Sequence, residues 1–252
     1  MKTSAYIICF NESEILPFAI RHYRQFCERV VIHDMGSTDG SQKIATDAGC
    51  EVVQHDAKGE FDDRQNQGIK NACWKSAPDD DFAVIVDADE FIYFPAGAEM
   101  TLDSYDKQNL AVVHPHGYEM LSDTYPTGSG QIYDEVKMGA KEVDWYSKPS
   151  LISPKRLLRV EYGTGAHVVT AFLKNGRQVT VNQKSEFNYP STLLLHNHHI
   201  GGVERVSRLY NENRARQSIA NKAHKWGLQE DGRRHCERKR ALILPRLERV
   251  IP

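Results

Sequence analysis

Phe82-Ala83-Val84-Ile85-Val86-Asp87-Ala88-Asp89-Glu90 is the stretch that decides the fold. A short apolar run containing Val and Ile reads as a buried strand. Three carboxylates follow at its carboxyl end. In an open α/β sheet, ligands sit just outside the carboxyl ends of the strands. Asp87 and Asp89 therefore stand where a ligand would sit. Two hard oxygen donors one residue apart can hold a Mg²⁺ or Mn²⁺ that also binds phosphate oxygens.

Before this stretch, strand and helix alternate. Ala5 to Phe10 is a strand, and Asn11-Glu12-Ser13 is a polar turn able to cap the next helix. Glu14 to Phe26 carries Ile15, Ala19, Tyr23 and Phe26 on one helical face, with Pro17 in the first turn. Arg29 to His33 is a second strand, ending at Asp34. Met35-Gly36-Ser37-Thr38-Asp39-Gly40-Ser41 turns into a helix that stops near Gly49. Glu51 to Gln54 is a third strand, and Asp62 to Ala77 is a helix. This alternation predicts an α/β fold, a mostly parallel central sheet with helices on both faces.

After Phe94 the pattern changes. Leu110 to His114 is a strand. Ser122 to Gln131 is rich in Ser, Thr, Gly and Pro, a mobile loop and a lid candidate. Val168 to Leu173 and Gln178 to Val181 flank Lys174-Asn175-Gly176-Arg177, and Asn-Gly signals a β-hairpin. Thr192 to Leu195 is a strand carrying His196, His198 and His199 at its end. Val203 to Trp226 reads as a polar helix running into a basic tail. The expected division is an α/β domain over 1–202 and a basic helical extension over 203–252.

With 252 residues, 40% hydrophobic and 26% charged, the composition is that of a soluble globular protein. A net charge of -2 gives no bias toward nucleic acid. The charge is uneven: Val203 to Pro252 holds 13 Lys and Arg against 6 Asp and Glu. That asymmetry suggests a surface meeting anionic partners such as lipid head groups, or simply a solvated helix. Five cysteines without a C-x-x-C pair read as reduced thiols and favour the cytoplasm. Ser4 to Phe10 is too short for a signal-peptide core, and no apolar run reaches the roughly 18 residues of a membrane span.

Four motifs now form an ordered set: Phe10-Asn11-Glu12, Asp34-Met35-Gly36-Ser37-Thr38-Asp39-Gly40, Arg64 with Asn66-Gln67-Gly68-Ile69, and Asp87-Ala88-Asp89. Together they resemble GT-A glycosyltransferases of the family 2 type, over Tyr6 to Glu90. More loosely, Gly117-Tyr118-Glu119-Met120, Tyr146-Ser147-Lys148-Pro149 and Leu195-His196 resemble a non-processive subgroup. Met35 stands where many members have a second Asp that touches the nucleobase. The Gln-x-x-Arg-Trp motif of processive members is absent.

The resemblance implies a GT-A, Rossmann-like sheet and a metal-dependent transfer from a nucleotide-sugar, a UDP-sugar, to a glycan or lipid-linked glycan, with inversion. The reduced thiols and the basic tail, not the resemblance, set the expected location, the cytoplasm with a contact at the inner face of the membrane. Asn11, Glu12, Asp34, Arg64, Asp87 and Lys148 are the expected nucleotide-binding residues, with Arg64 and Lys148 as cations for the diphosphate. Asp87, Asp89 and His196 are expected to hold Mn²⁺ or Mg²⁺, which neutralises charge developing on the leaving diphosphate. His167 and His198 are second choices for the imidazole. Inversion needs a carboxylate to take the acceptor proton; Asp123 is first, with Glu119 and Glu135 next.

Three other readings compete. Phosphatases of the haloacid dehalogenase type share Asp-x-Asp, but usually open with it and follow it with Thr or Val, where Phe91 stands here. A nucleotidyltransferase needs an early Gly-rich loop with Arg and Lys. A non-catalytic binding module is expected to lose the acidic ligands.

Overall fold

The computed structural model describes residues 1–141, 147–182, 192–225 and 230–252. The amino-terminal half is βα units: β1 (Thr3–Cys9), α1 (Leu16–Tyr23), β2 (Arg29–Asp34), α2 (Ser41–Asp47), β3 (Glu51–Gln54), α3 (Asp63–Ala72) and β4 (Phe82–Asp87). Then come β5 (Glu90–Tyr93), α4 (Ala98–Lys107), β6 (Val112–Val113), β7 (His116–Ser122), α5 (Ile132–Glu135), β8 (Met138–Lys141) and β9 (Leu151–Ile152). The chain closes with β10 (Leu157–Tyr162), β11 (Val169–Leu173), β12 (Gln178–Val181), β13 (Leu193–Ile200), α6 (Gly202–Ala215), α7 (Ile219–His224), α8 (Gly232–Ile243) and β14 (Glu248–Arg249).

The first sheet has the order β3-β2-β1-β4-β9-β6. Strands β3, β2, β1 and β4 pair in parallel, and β9 runs antiparallel between β4 and β6. Strand alternation sends Ala5, Ile7 and Cys9 to one face and Tyr6 and Ile8 to the other. The first face is covered by Leu16, Ala19 and Tyr23 of α1 and Ala45 of α2. The second is covered by Ile69 of α3, Trp74, and the three-stranded sheet β10-β11-β12. Both faces are dry, which is why these strands read as nearly continuous apolar runs.

A second sheet, β14-β8-β7-β13-β5, is not foreseen by the sequence. Its strand β5 begins directly after β4, so Ala88-Asp89 is the corner where the chain leaves one sheet for the other. The corner is tied down on two sides. Ala88 N donates to Ile8 O of β1 at 3.1 Å, and Asn197 N of β13 donates to Asp89 O at 2.8 Å.

Several boundaries differ from expectation. The histidines do not follow a strand but lie inside β13, which runs to Ile200. The Leu110–His114 strand shrinks to Val112–Val113. The Asp62–Ala77 helix ends at Ala72 and continues as a tighter turn over Cys73–Ser76. The helix expected over Val203–Trp226 breaks after Ala215, because Arg216 O and Ser218 N are bonded to Phe61 and Ser218 caps a new helix, α7; Trp226 and Tyr146 lie outside the described residues. The carboxyl-terminal segment packs back on the molecule: β14 pairs with β8, and Ile251 is buried in the main core. Three of its arginines are in ion pairs, Arg233 with Glu204 and Glu237, Arg238 with Glu230, and Arg240 with Asp123. None of the five cysteines is in a disulfide. No described helix is long and apolar enough to cross a membrane.

Candidate active site

A cleft of about 300 Å³ opens at the carboxyl ends of β1, β2 and β4. This is where a parallel sheet presents strand-end groups and the turns that follow. Phe10 and Glu12 follow β1, Met35 follows β2, and Asp87, Ala88 and Asp89 end β4. From β13 come His196 and His198, and Lys148 enters beside β9.

The turns after β1 and β2 are stitched together. Asn11 Oδ1 accepts from Thr38 N at 2.8 Å, and Asn11 N donates to Ser37 Oγ at 2.9 Å. Asn11 takes φ 52°, a left-handed conformation that Asn tolerates. Asp34 Oδ2 accepts from Gly36 N and Ser37 N, both at 2.9 Å, and from Gln42 Nε2 at 2.7 Å. Gly36 supplies the positive φ, 81°, that this turn requires. Asn11 and Asp34 thus shape the rim and do not line the cleft.

Helix α3 presents Asp63, Asn66, Gln67 and Lys70 to the cleft, positions one face shares by helical spacing. Arg64 falls off that face; it is exposed, and its Nη2 donates to His224 Nε2 at 3.2 Å. The cation delivered by this helix is therefore Lys70, six residues on. The signal for it was available, since 63, 66, 67 and 70 form a polar stripe on a helix leading to the Asp-x-Asp strand.

Charge is dense. Lys70 Nζ lies 2.9 Å from Asp87 Oδ1, and Lys148 Nζ lies 3.5 Å from Asp87 Oδ2 while also pairing closely with Glu90. Burial would raise the Asp87 carboxyl, but the two ammonium groups hold it below its ordinary value. Burial works against the charge on Lys148, yet Glu90 and Asp87 keep its ammonium above the ordinary range. Glu90 is 1% exposed and its other oxygen accepts from Asp87 N at 3.0 Å.

On the other side of the corner, strand register does the work. His196 stands opposite Glu90 across β5 and opposite Glu119 across β7. His196 Nδ1 donates to Glu119 Oε2 at 2.8 Å, and its Nε2 lies 3.6 Å from Asp89 Oδ2. His198 Nδ1 donates to the same Asp89 oxygen at 3.1 Å. Burial pushes His196 down, but Glu119 and Asp89 outweigh it and lift the imidazole to about 9. Against burial, His196 and His198 hold Asp89 well below the usual carboxylate range, and His196 and His199 lower Glu119. His199 points away, its Nε2 2.9 Å from Tyr210 OH. His167 lines the cleft, pushed by burial to about 4.

Once its Nε2 proton is displaced, His196 fits a divalent cation together with Asp89: a carboxylate oxygen and an imidazole nitrogen lie side by side, and the far nitrogen of the ring is oriented by a carboxylate, as ligating histidines usually are. Asp87 does not join them, since each of its oxygens faces a lysine. Among the described residues no three His, Cys, Asp or Glu side chains stand in the geometry of one ion.

The expected proton acceptors are elsewhere. Glu119 is fully buried behind His196, Asp123 is exposed and paired with Arg240 at 2.5 Å, and Glu135 accepts from Thr127 N and Gly128 N. No residue of the 122–131 loop lines the cleft. Tyr125 of that loop instead packs against Arg205, and Arg21 Nε donates to Gly130 O at 3.0 Å. Within the cleft, burial and Asp89 raise Glu12 well above its ordinary value, and burial raises Asp63.

No family model matches the chain. A TPR repeat-containing protein of Synechococcus elongatus is 28% identical over 99 residues, 39% of this chain and 23% of that protein, so the chain spans under a quarter of that relative's length. Glucosyl-3-phosphoglycerate synthase of Mycobacterium tuberculosis, solved with Mn²⁺, UDP and glucosyl-3-phosphoglycerate, is 20% identical with a TM-score of 0.33, covering 46% of this chain and 44% of that one. A second structure of that enzyme, with UDP, is 25% identical with a TM-score of 0.27, covering 35% of this chain and 34% of that one. These likenesses are partial, and the chain spans less than half the length of either structure.

Proposed function

We propose that this protein is a glycosyltransferase of the GT-A type, moving a sugar from a nucleotide-sugar, a UDP-sugar first, to a glycan or lipid-linked glycan. One observation carries the reading: Asp89, at the corner between two sheets and at the carboxyl end of a parallel strand, has His196 beside it and Glu119 behind that imidazole. Asp89 and His196 would hold Mn²⁺ or Mg²⁺, with the remaining positions left to water and phosphate oxygens. Such an ion supplies neutralisation of the charge that develops on a leaving diphosphate.

The chain's own groups do the rest. Phe10 and Met35, at the ends of β1 and β2, offer an apolar surface to the base. Lys148 is held at the cleft wall by Glu90 and Asp87 and adds fixed positive charge. Glu12 and Asp63, whose proton affinity is raised, are the cleft carboxylates suited to take the acceptor's proton during an inverting displacement. A lipid-linked acceptor would bring the protein to the inner face of the cytoplasmic membrane. The carboxyl-terminal arginines contribute less to that contact than their number suggests, because carboxylates already pair with Arg233, Arg238 and Arg240.

The test is thermal unfolding against a panel of UDP-, GDP- and CMP-sugars with Mn²⁺. A ligand present at a hundred times its Kd adds about 2.7 kcal/mol of stability, so a UDP-sugar should raise the melting temperature by several degrees. Protection by a GDP- or CMP-sugar would correct the base alone; protection by none of them would overturn the reading.

A further inference from the structure

We propose that Lys70 binds the donor's diphosphate directly, so that a nucleoside diphosphate is held by this protein without a metal ion. This rests on the nucleotide-sugar reading above. Lys70 comes from the cleft face of α3, is 5% exposed, and lines the cleft. Its ammonium has three N–H donors. Among the described residues Nζ makes one hydrogen bond, to Asp87 Oδ1 at 2.9 Å. Two donors are left at a buried wall. Acceptors arriving with a ligand can take these donors over from water.

Lys148 makes a useful contrast. Its Nζ is shared between Asp87 and Glu90, two carboxylates that hold it in place. Of the two ammonium groups, Lys70 has two N–H donors left over and Lys148 one. The need for it is electrostatic. Glu12, Asp62, Asp63, Asp87 and Asp89 all line the cleft, and an anionic diphosphate would be repelled unless a cation stood at its seat. Asn66 and Gln67, one turn earlier on the same face, add amide N–H groups. Asp87 then serves as a positioning residue, aiming Lys70 at the phosphates, while Asp89 belongs to the metal.

Binding of UDP and of uridine is measured by calorimetry in EDTA and again in Mn²⁺, on the full chain. In EDTA the wild-type protein should bind UDP at least tenfold more tightly than uridine. Lys70→Met should lose at least tenfold of that UDP affinity with uridine unchanged, and Lys70→Arg should restore most of it. Asp87→Asn should weaken UDP in EDTA as well, whereas Arg64→Ala, off the cleft face of α3, should leave it within twofold. UDP bound in Mn²⁺ but no better than uridine in EDTA overturns the Lys70 assignment and leaves the functional reading standing. A folded Lys70→Met with wild-type UDP affinity in EDTA also overturns it. If Lys70→Met does not fold, the wild-type comparison and Lys70→Arg decide. No binding of UDP in either condition overturns the functional reading itself.

Discussion

Residues 1–87 and residues 90–252 each build one wall of the cleft, by different means. In the first, a functional side chain sits where a local rule puts it: at the end of a parallel strand, or on the face of the helix packed beside it. In the second, His196 is useful only because β13 lies between β5 and β7 in a register that sets it against Glu119, 77 residues away in sequence. Local rules tolerate distant change. A register does not, because a slip of one residue turns every side chain to the other face. The second wall should therefore be the more fragile in geometry, and the first the more sensitive in charge.

Asp89 stands at the corner between the two walls, and its loss should have the largest effect. Asp89→Asn should lower transfer by on the order of 10³-fold while leaving the melting temperature within a few degrees. Wild-type turnover in Mn²⁺ would remove Asp89 from the site. Glu119→Gln comes next and tests the register-built wall. Loss of the carboxylate behind a ligating His typically costs 10–100-fold in metal affinity, and a buried cation left with one partner fewer costs about 3 kcal/mol. A drop in stability with unchanged Mn²⁺ affinity would make the second sheet a scaffold and nothing more.

Histidine titration sharpens the contrast. His22, on α1, is 2% exposed and lies among aromatic rings, its Nε2 donating to Ile92 O; burial depresses it to about 4. A folded value below the unfolded value of about 6.5 means its contribution is present above pH 6.5 and is lost as pH falls toward 4. His196, lifted to about 9, behaves oppositely: its contribution is present below pH 6.5 and is lost as pH rises through 9. Each is worth up to roughly 3 kcal/mol. Chemical denaturation from pH 4 to 9.5 should show both limbs. His22→Gln should take about one proton, roughly 1.4 kcal/mol per pH unit, off the acid slope; His196→Asn should flatten the alkaline one. An unchanged acid slope in His22→Gln would show that other depressed histidines carry it.

Smaller effects mark the edges of each wall. His199→Ala should cost about 1–3 kcal/mol, because it removes a fully buried side chain together with its hydrogen bond to Tyr210 OH. Its Mn²⁺ affinity should stay within twofold, and a fall to match His196→Ala would make the two histidines equivalent. Arg64→Ala should change UDP affinity by less than twofold, since the cleft lies on the other face of α3; a larger loss would return the diphosphate to Arg64.

The sequence alone determined the parallel half. The apolar runs at Ala5–Phe10, Arg29–His33 and Phe82–Val86, the polar turns at their carboxyl ends, and the Asp-x-Asp at the last of them follow from periodicity and chain order, which are local. The hairpin over Lys174-Asn175-Gly176-Arg177 was legible for the same reason. The polar stripe at 63, 66, 67 and 70 was legible on α3, but only the tertiary structure decided that this face, and not that of Arg64, lines the cleft, because which helical face packs on a sheet depends on what covers that sheet. It alone decided that Glu119 is a partner of His196, that Asp123 and Glu135 stand outside the cleft, and that the helix after Gly202 breaks at Arg216. Each of these depends on contacts between residues far apart in the chain. A three-residue motif records where its own strand ends. It carries no information about which other strand will lie beside it, and here that neighbour sets the charge on the site.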